Sequence, residues 1–222
     1  MIVAVFSVLF ISLLMSIPIA VSLGMASIIG LFSLSPELLV LAPQKFLTGI
    51  NSFTLLAIPM FILAGTIMGS GGIAARIVNF CLIFVGRVKG GLGFVVILAT
   101  MFFSGVCGSA SADTAAIGST TMPEMLKRKY PKPFATALLA ASGATASIIP
   151  PSIDLIIIGI VSGISIGGLF AAGILPGIFN AVALMCLCFY FSKKLDLPVT
   201  EKTSLGEKFK IFQGGILALF MP

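Results

Sequence analysis

Long stretches without any charged residue are the feature that most constrains this chain. Five segments contain no Asp, Glu, Lys or Arg, and they are residues 1–36, 46–75, 90–112, 133–153 and 155–192. A helix that crosses a bilayer needs about 20 mostly apolar residues, so these segments have room for several spanning helices or re-entrant arms. They do not alternate between polar and apolar residues, which disfavours an outer-membrane β-barrel. The pattern predicts an all-α, polytopic membrane protein.

The composition excludes other classes of protein. Only 9 % of the 222 residues are charged and 59 % are hydrophobic, whereas a soluble domain carries about 25 % charged residues. A soluble globular domain, a nucleic-acid-binding domain and a disordered chain are therefore excluded. The chain has no His, and its four Cys form no CxxC pair, which removes ordinary zinc sites and His-based acid–base chemistry. We predict no resident cofactor.

One apolar unit is bracketed by two basic clusters, Arg87 with Lys89 and Lys127–Lys129. Basic loops stay on the cytoplasmic side of a membrane, so the chain between them must enter and return. Its middle, SGVCGSASAD over residues 104–113, is small, polar and glycine-bearing, and helices break at such sequences. We predict a helical hairpin over about 91–126, either as two short spanning helices or as a re-entrant hairpin with its tip at membrane depth.

A second break follows at the double proline, Pro150-Pro151. Two consecutive prolines remove two backbone donors and end a helix. We predict one discontinuous helix over about 133–165, broken at 146–152. The other expected elements are helices at about 2–17, 18–34, 51–69 and 73–86, a further span over 167–192, and a loop or interfacial stretch between residues 35 and 49.

The two breaks are candidate sites for a cation. Non-helical backbone survives at membrane depth only inside protein or along a watery cavity, and secondary transporters build Na⁺ sites from broken helices of this kind. Hydroxyl and carbonyl oxygens are hard ligands that suit Na⁺. The first break supplies Ser104, Ser109, Ser111 and Thr114, and the second supplies Thr145, Ser147, Ser152 and the carbonyls before Pro150 and Pro151.

Two other interpretations stay open at this point. Small and hydroxyl residues are common at ordinary helix contacts, so the chain could be a non-transporting structural membrane subunit whose prolines only kink a helix. Asp113 and Asp154 lie in or near apolar segments, where acids are functional by default, which would suit an intramembrane aspartyl enzyme. Neither has a recognisable catalytic context. We favour helix capping for Asp113, assign Asp154 as a candidate cap after the proline break, and predict that the chain is not an enzyme.

Two motifs resemble a known family. SGVCGSASADTAAIGSTTMPEM (104–125) followed by ATASIIPPSIDLIIIG (144–159) resembles the DctM-like large membrane subunit of tripartite ATP-independent periplasmic (TRAP) transporters. IPIAVSLG (17–24) and LLAIPMFILAGTIM (55–68) are similar to the same family. The likeness covers essentially the whole chain.

The resemblance implies an elevator-type transporter with two inverted repeats, each containing a re-entrant hairpin and a discontinuous helix. Such subunits import an organic anion (a C4-dicarboxylate, another carboxylate or sialic acid) across the bacterial inner membrane and are driven by Na⁺. They work with a small membrane subunit and a periplasmic substrate-binding protein. Two repeats require about twice this length. The chain would thus comprise a first repeat over 1–194, a cytoplasmic linker over 195–210 and the start of a truncated helix over 211–222, and an inactive fragment is an alternative.

The resemblance also implies site residues. The Na⁺ ligands would be Ser104, Cys107, Ala146, Ile149 and Pro150, and the substrate-proximal tip would comprise Gly108, Ser109, Ser111, Asp113, Pro151 and Ser152. Two positions depart from the family pattern. Cys107 stands where Ser is more usual, and its thiol is a poor ligand for a hard cation, although its carbonyl can still bind one. Ala146 stands where Gly is more usual and restricts the backbone.

Overall fold

The computed structural model describes residues 2–51, 53–86, 88–199, 211, 214 and 215, with the side chain of Cys107 excepted. Every regular element in these residues is helical, comprising ten α-helices and two short 3₁₀ helices. The predicted all-α class is therefore confirmed. The chain divides into two compact units, Met1–Phe53 and Thr54–Pro222.

The first unit is a pair of packed apolar helices, α1 (Ile2–Leu14) and α2 (Ile19–Leu34), followed by a 3₁₀ helix (Pro36–Val40) and α3 (Leu41–Ile50). Of the two alternatives predicted for residues 35–49, the loop is wrong because this stretch is helical, and the interfacial stretch stays a prediction. Pro36 begins the 3₁₀ helix and Pro43 is the third residue of α3. The first N–H groups of a helix have no intrahelical partner, so prolines are tolerated at these two helix starts.

The second unit holds the other seven α-helices of the described chain. A 3₁₀ turn (Phe53–Leu56) leads into α4 (Ala57–Ser70) and α5 (Ile73–Val85), and then into α6 (Gly91–Cys107) and α7 (Ala110–Lys127). The last three are α8 (Lys132–Ala146), α9 (Ile153–Ser162) and α10 (Ile166–Lys194).

The core of the second unit lies among α5, α6, α7 and α8. Helix α5 presents an apolar stripe to it, because its buried residues follow helical spacing, while Arg76 and Asn79 face outward. The largest fully buried side chains include Ile77 of α5, Phe103 of α6 and Ile117 of α7. Helix α6, with buried residues along most of its length, is the central element of this packing.

The outer surface of the second unit is strongly apolar. Val161, Leu175 and Phe179 are 81 %, 76 % and 76 % exposed, and soluble proteins rarely carry so much exposed apolar surface. Two helical stretches among the described residues, Phe53–Ser70 and Ile166–Lys194, are long and apolar enough to cross a membrane by length and composition. This surface agrees with the membrane protein that the sequence predicts.

The segment after α10 is tied to the turn before α6. Lys89 Nζ lies 2.5 Å from Asp196 Oδ1, the Gly90 N–H donates to the Pro198 carbonyl at 3.4 Å, and Leu197 is buried in the core. Of the predicted linker, residues 195–199 therefore pack against the helices. Its remainder lies outside the described residues, as does most of the predicted helix over 211–222, in which 211, 214 and 215 are helical.

The ion pair between Lys89 and Asp196 predicts that Asp196 titrates at a lower pH than an ordinary aspartate. The hydrogen bond and charge of Lys89 lower the pKa of Asp196 below its ordinary value of 3.8. Because the pKa of Asp196 is lower in the folded state than in the unfolded state, the ion pair stabilises the fold at pH values above the ordinary pKa. This stabilisation is lost as the pH falls through the folded-state pKa. Lys89→Met should return Asp196 to its ordinary titration, as followed by carboxyl-carbon NMR of labelled protein with Asp196→Asn for assignment. Lys132→Met is the matched surface change, and a response to it equal to that of Lys89→Met would contradict the assignment.

Candidate ion-binding site

The turn between α6 and α7 consists of only Gly108 and Ser109. Gly108 is left-handed, with φ 60° and ψ 22°, and its N–H donates to the Ser104 carbonyl at 2.9 Å. This geometry ends a helix and is open to glycine at little cost. Ser109 is extended and precedes α7 as its N-cap residue. The non-helical part of the predicted 104–113 break is therefore two residues long, with Ser104 in the last turn of α6 and Ser111 in the first turn of α7.

The second break is the loop 147–152 between α8 and α9, and it is held by its own hydrogen bonds. The Ile149 N–H donates to the Ala146 carbonyl at 3.2 Å. The Ser152 hydroxyl donates to the Ser147 carbonyl at 2.6 Å and accepts from the Leu155 N–H at 3.5 Å. The Pro150-Pro151 bond is cis. The loop is thus a defined structure that ends in a serine N-cap.

The structure brings the turn and the loop into direct contact. The Ser104 hydroxyl donates to the Ala146 carbonyl at 2.5 Å, and the Ile149 carbonyl lies 3.4 Å from the same hydroxyl. The Ile153 N–H donates to the Gly108 carbonyl at 3.0 Å. The backbones approach so closely that a Cβ on Gly108 would lie 2.6 Å from the Pro151 carbonyl oxygen.

Three neutral oxygen atoms therefore gather at one buried point, the hydroxyl of Ser104 and the carbonyls of Ala146 and Ile149. Ser104 and Ala146 are fully buried. Hydroxyl and carbonyl oxygens are hard ligands, and the two segments that carry them come from different helices. Oxygen atoms of this kind are the ligands that a small hard cation takes.

The other predicted site residues fall into two groups. Gly108, Pro151 and Ser152 line the contact between turn and loop, and Pro150 lies within the loop. Ser109 and Ser111 instead pair with each other, with hydroxyl oxygens 3.3 Å apart on the exposed side of the turn. The side chain of Cys107 lies outside the described part of the structure.

Neither acid is the N-cap residue of its helix. Ser109 occupies the N-cap position of α7, and Asp113 lies inside its first turn, where it is fully buried. Ser152 caps α9, and Asp154 is exposed one residue into that helix. Both breaks end in a serine immediately before the helix, so each helix begins earlier than the acids suggest. No cluster of three or more His, Cys, Asp or Glu that could bind a metal occurs among the described residues.

A cavity of about 610 Å³ lies beside the turn, between α4, the start of α5 and α7. Ser109 is part of its wall and connects it to the turn. Apart from Ile62 and Phe103, the residues around it are small or carry hydroxyl groups, and none of those described is charged; among them are Thr66, Ser70, Ala112, Ala116, Ser119 and Thr120.

Sequence analysis missed the contribution of α10. The side-chain amide of Asn180 donates to the Thr145 hydroxyl at 3.0 Å, and Gly173 and Gly177 lie against the loop residues Ile148 and Ile149. The available signal was a lone asparagine in the otherwise apolar segment 155–192. Such a residue in a spanning helix usually finds a partner on a neighbouring helix.

Comparison with known proteins decides the family. Residues 6–222 match the family model described as "Tripartite ATP-independent periplasmic transporter, DctM component". The chain belongs to this family. The predicted kinship is confirmed, and with it the membrane character of the chain.

Individual relatives agree with this assignment. The chain is 45 % identical over 179 residues to the 2,3-diketo-L-gulonate TRAP transporter large permease protein of Escherichia coli. The matched region covers 81 % of this chain and 42 % of that protein. The chain is 43 % identical over 181 residues to the sialic acid TRAP transporter large permease protein of Vibrio cholerae, covering 82 % and 42 %. It is 39 % identical over 215 residues to the ectoine TRAP transporter large permease protein of Halomonas elongata, covering 95 % and 50 %.

The chain spans about half the length of these curated relatives. Their names are those of permeases, so the expectation that this chain is not an enzyme is confirmed.

Proposed function

We propose that this chain is the first repeat of the carrier subunit of a Na⁺-coupled TRAP transporter that imports an organic anion. Relatives named for 2,3-diketo-L-gulonate, sialic acid and C4-dicarboxylates support this substrate class. In this proposal α6 and α7 form the re-entrant hairpin, and α8 and α9 form the discontinuous helix. Na⁺ is the coupling ion and is carried with the substrate.

The observation that carries the proposal is the meeting of the Ser104 hydroxyl with two carbonyls of the double-proline loop. On binding, Na⁺ replaces the Ser104 proton between these oxygens, and the hydroxyl turns its proton away and presents a lone pair. Backbone carbonyls of Cys107 and Pro150 complete the proposed ligand set. All these ligands are hard and neutral, which matches a monovalent cation.

Coupling follows from where the ligands come from. Ser104 belongs to the hairpin and Ala146 and Ile149 to the broken helix, so a bound cation fastens one to the other. Ser109 and Ser152 are the N-cap residues of α7 and α9, so both helices begin close to the contact between the turn and the loop. Helix N-termini favour anions, so a substrate carboxylate is attracted to the region that Na⁺ has ordered. The ion and the anion thereby stabilise the same conformation, which is the requirement for symport.

The proposed partners are a small TRAP membrane subunit and a periplasmic substrate-binding protein. The family description itself names a tripartite, periplasmic system, which supports this assembly and a location in the bacterial inner membrane. The lipid bilayer is the remaining partner, and the exposed apolar side chains of α9 and α10 suit it.

Transport can be tested in a chimera, because the chain spans about half of its relatives. Residues 1–222 would be joined to the second half of the sialic acid permease of Vibrio cholerae and reconstituted with that system's small subunit and binding protein. We expect uptake of labelled sialic acid driven by an inward Na⁺ gradient. The unmodified permease is the positive control.

The ion dependence separates the alternatives. Uptake should disappear when choline replaces Na⁺ outside the vesicles, and Ser104→Ala should reduce it at every Na⁺ concentration below saturation. Uptake that is equal in choline and Na⁺ would contradict the coupling ion. A chimera that assembles with its small subunit but carries nothing would favour a structural, non-transporting role for this chain.

A further inference from the structure

Helix α10 packs against the double-proline loop. A Cβ on Gly173 would lie 2.6 Å from the Ile148 carbonyl oxygen, and a Cβ on Gly177 would lie 2.6 Å from Ile149 Cγ1. Both glycines are buried. The backbone of α10 therefore touches the loop directly, at the residue that carries the Ile149 carbonyl of the proposed cation site.

One helical turn further along, α10 makes a polar contact with the end of α8. The Asn180 amide donates to Thr145 Oγ1 at 3.0 Å, and the Thr145 hydroxyl donates in turn to the Ala141 carbonyl at 3.0 Å. Thr145 is 1 % exposed. It immediately precedes Ala146, whose carbonyl accepts from Ser104, so this relay ends one residue from the proposed site.

The position of Asn180 requires an explanation. Its neighbours Ile178 and Phe179 are large exposed apolar side chains, as expected for a helix in lipid. An amide in such a helix is unfavourable unless a neighbouring helix satisfies it. The hydrogen bond to Thr145 supplies that partner, so the amide fixes the rotation of α10 against α8 at this level.

We propose that Asn180 is a positioning residue for the cation site. It holds the last turn of α8 through Thr145, so that the Ala146 carbonyl faces Ser104 before the ion arrives. In this proposal Asn180 acts through Thr145 and is not one of the ligands. The inference rests on the proposed Na⁺ site and adds a residue that acts on its affinity.

The test is Na⁺-dependent thermal stabilisation of the purified 222-residue chain in detergent, with choline chloride keeping ionic strength constant. Asn180→Leu removes the donor at similar volume, and Thr145→Val removes the hydroxyl at similar shape. Each should raise the Na⁺ concentration for half-maximal stabilisation roughly three- to tenfold, the range for one interhelical hydrogen bond in a membrane. The double variant should be no worse than the more affected single variant, because both changes break one relay.

Two further variants make the result specific. Asn180→Gln keeps an amide donor and should raise the half-maximal concentration less than Asn180→Leu does. Phe179→Leu, at the adjacent lipid-facing position, should leave it unchanged.

The outcomes separate this inference from the proposed function. If the unmodified chain responds to Na⁺ and Asn180→Leu responds at the same concentrations, the positioning role is overturned while the cation site stands. The same holds if Asn180→Leu lowers the melting temperature equally in choline and Na⁺, since the contact is then only structural. If the unmodified chain shows no response to Na⁺, the cation site fails and the inference fails with it.

Discussion

Gly108→Ala is expected to separate the hairpin turn from the double-proline loop and to abolish the Na⁺ response of the chain. The added Cβ would lie 2.6 Å from the Pro151 carbonyl oxygen and 3.0 Å from Ser152 Cα, both of which are backbone atoms that cannot move alone. The residue would also have to keep φ 60°, and a left-handed non-glycine residue costs on the order of 1–3 kcal/mol. Together these terms open the contact that places Ser104 beside its two carbonyls.

Gly105→Ala is the matched control for this change. Gly105 lies three residues earlier in α6, and a Cβ there would meet nothing within 4 Å. Replacing a helical glycine by alanine stabilises a helix by about 1 kcal/mol, so this variant should melt at or above the temperature of the unmodified chain. Thermal unfolding with and without Na⁺ measures both. Equal behaviour of the two variants would show that the turn and the loop are not in the contact described.

Ser104→Ala is the second change with a large expected effect. It removes the hydroxyl that donates to the Ala146 carbonyl and lies 3.4 Å from the Ile149 carbonyl, and losing one intramolecular hydrogen bond costs about 0.5–1.5 kcal/mol. We expect a lower melting temperature in choline and little further stabilisation by Na⁺. Ser119→Ala should do neither, because that hydroxyl is exposed and, within the described part of the chain, donates to the Ala116 carbonyl of its own helix. A Ser104→Ala variant that Na⁺ stabilises as strongly as the unmodified chain would remove Ser104 from the site.

Both helix breaks could be predicted from the sequence, because local residue chemistry determines them. The double proline lacks two N–H groups and must interrupt a helix, and the structure has α8 end at Ala146 and α9 begin at Ile153. The small, glycine-bearing stretch near residue 108 likewise contains the turn between α6 and α7. These are short-range effects, which depend on a few neighbouring residues.

The sequence alone could not predict which side chains of these helices face the loop. Ser104, Ser109 and Ser111 are equivalent as candidate ligands in the sequence, yet only Ser104 meets the loop while the other two pair with each other. Which side of a helix faces a partner depends on packing between segments some 40 residues apart. Asn180 was overlooked for the same reason, since its role exists only because α10 packs against α8.

Two prolines in the first unit do not interrupt a helix. Pro36 and Pro43 both stand in the first turn of a helix, where a missing N–H has no cost. The chain there is helical from Pro36 to Ile50. Position within a helix, rather than residue type alone, decides what a proline does.

The central claim is that the α6–α7 turn and the double-proline loop form one cation site, and equilibrium binding of ²²Na⁺ to the purified chain tests it most directly. The account predicts saturable binding that unlabelled Na⁺ displaces and choline does not, that Ser104→Ala abolishes, and that Ser119→Ala preserves. The absence of saturable binding, or binding to Ser104→Ala equal to that of the unmodified chain, would contradict it.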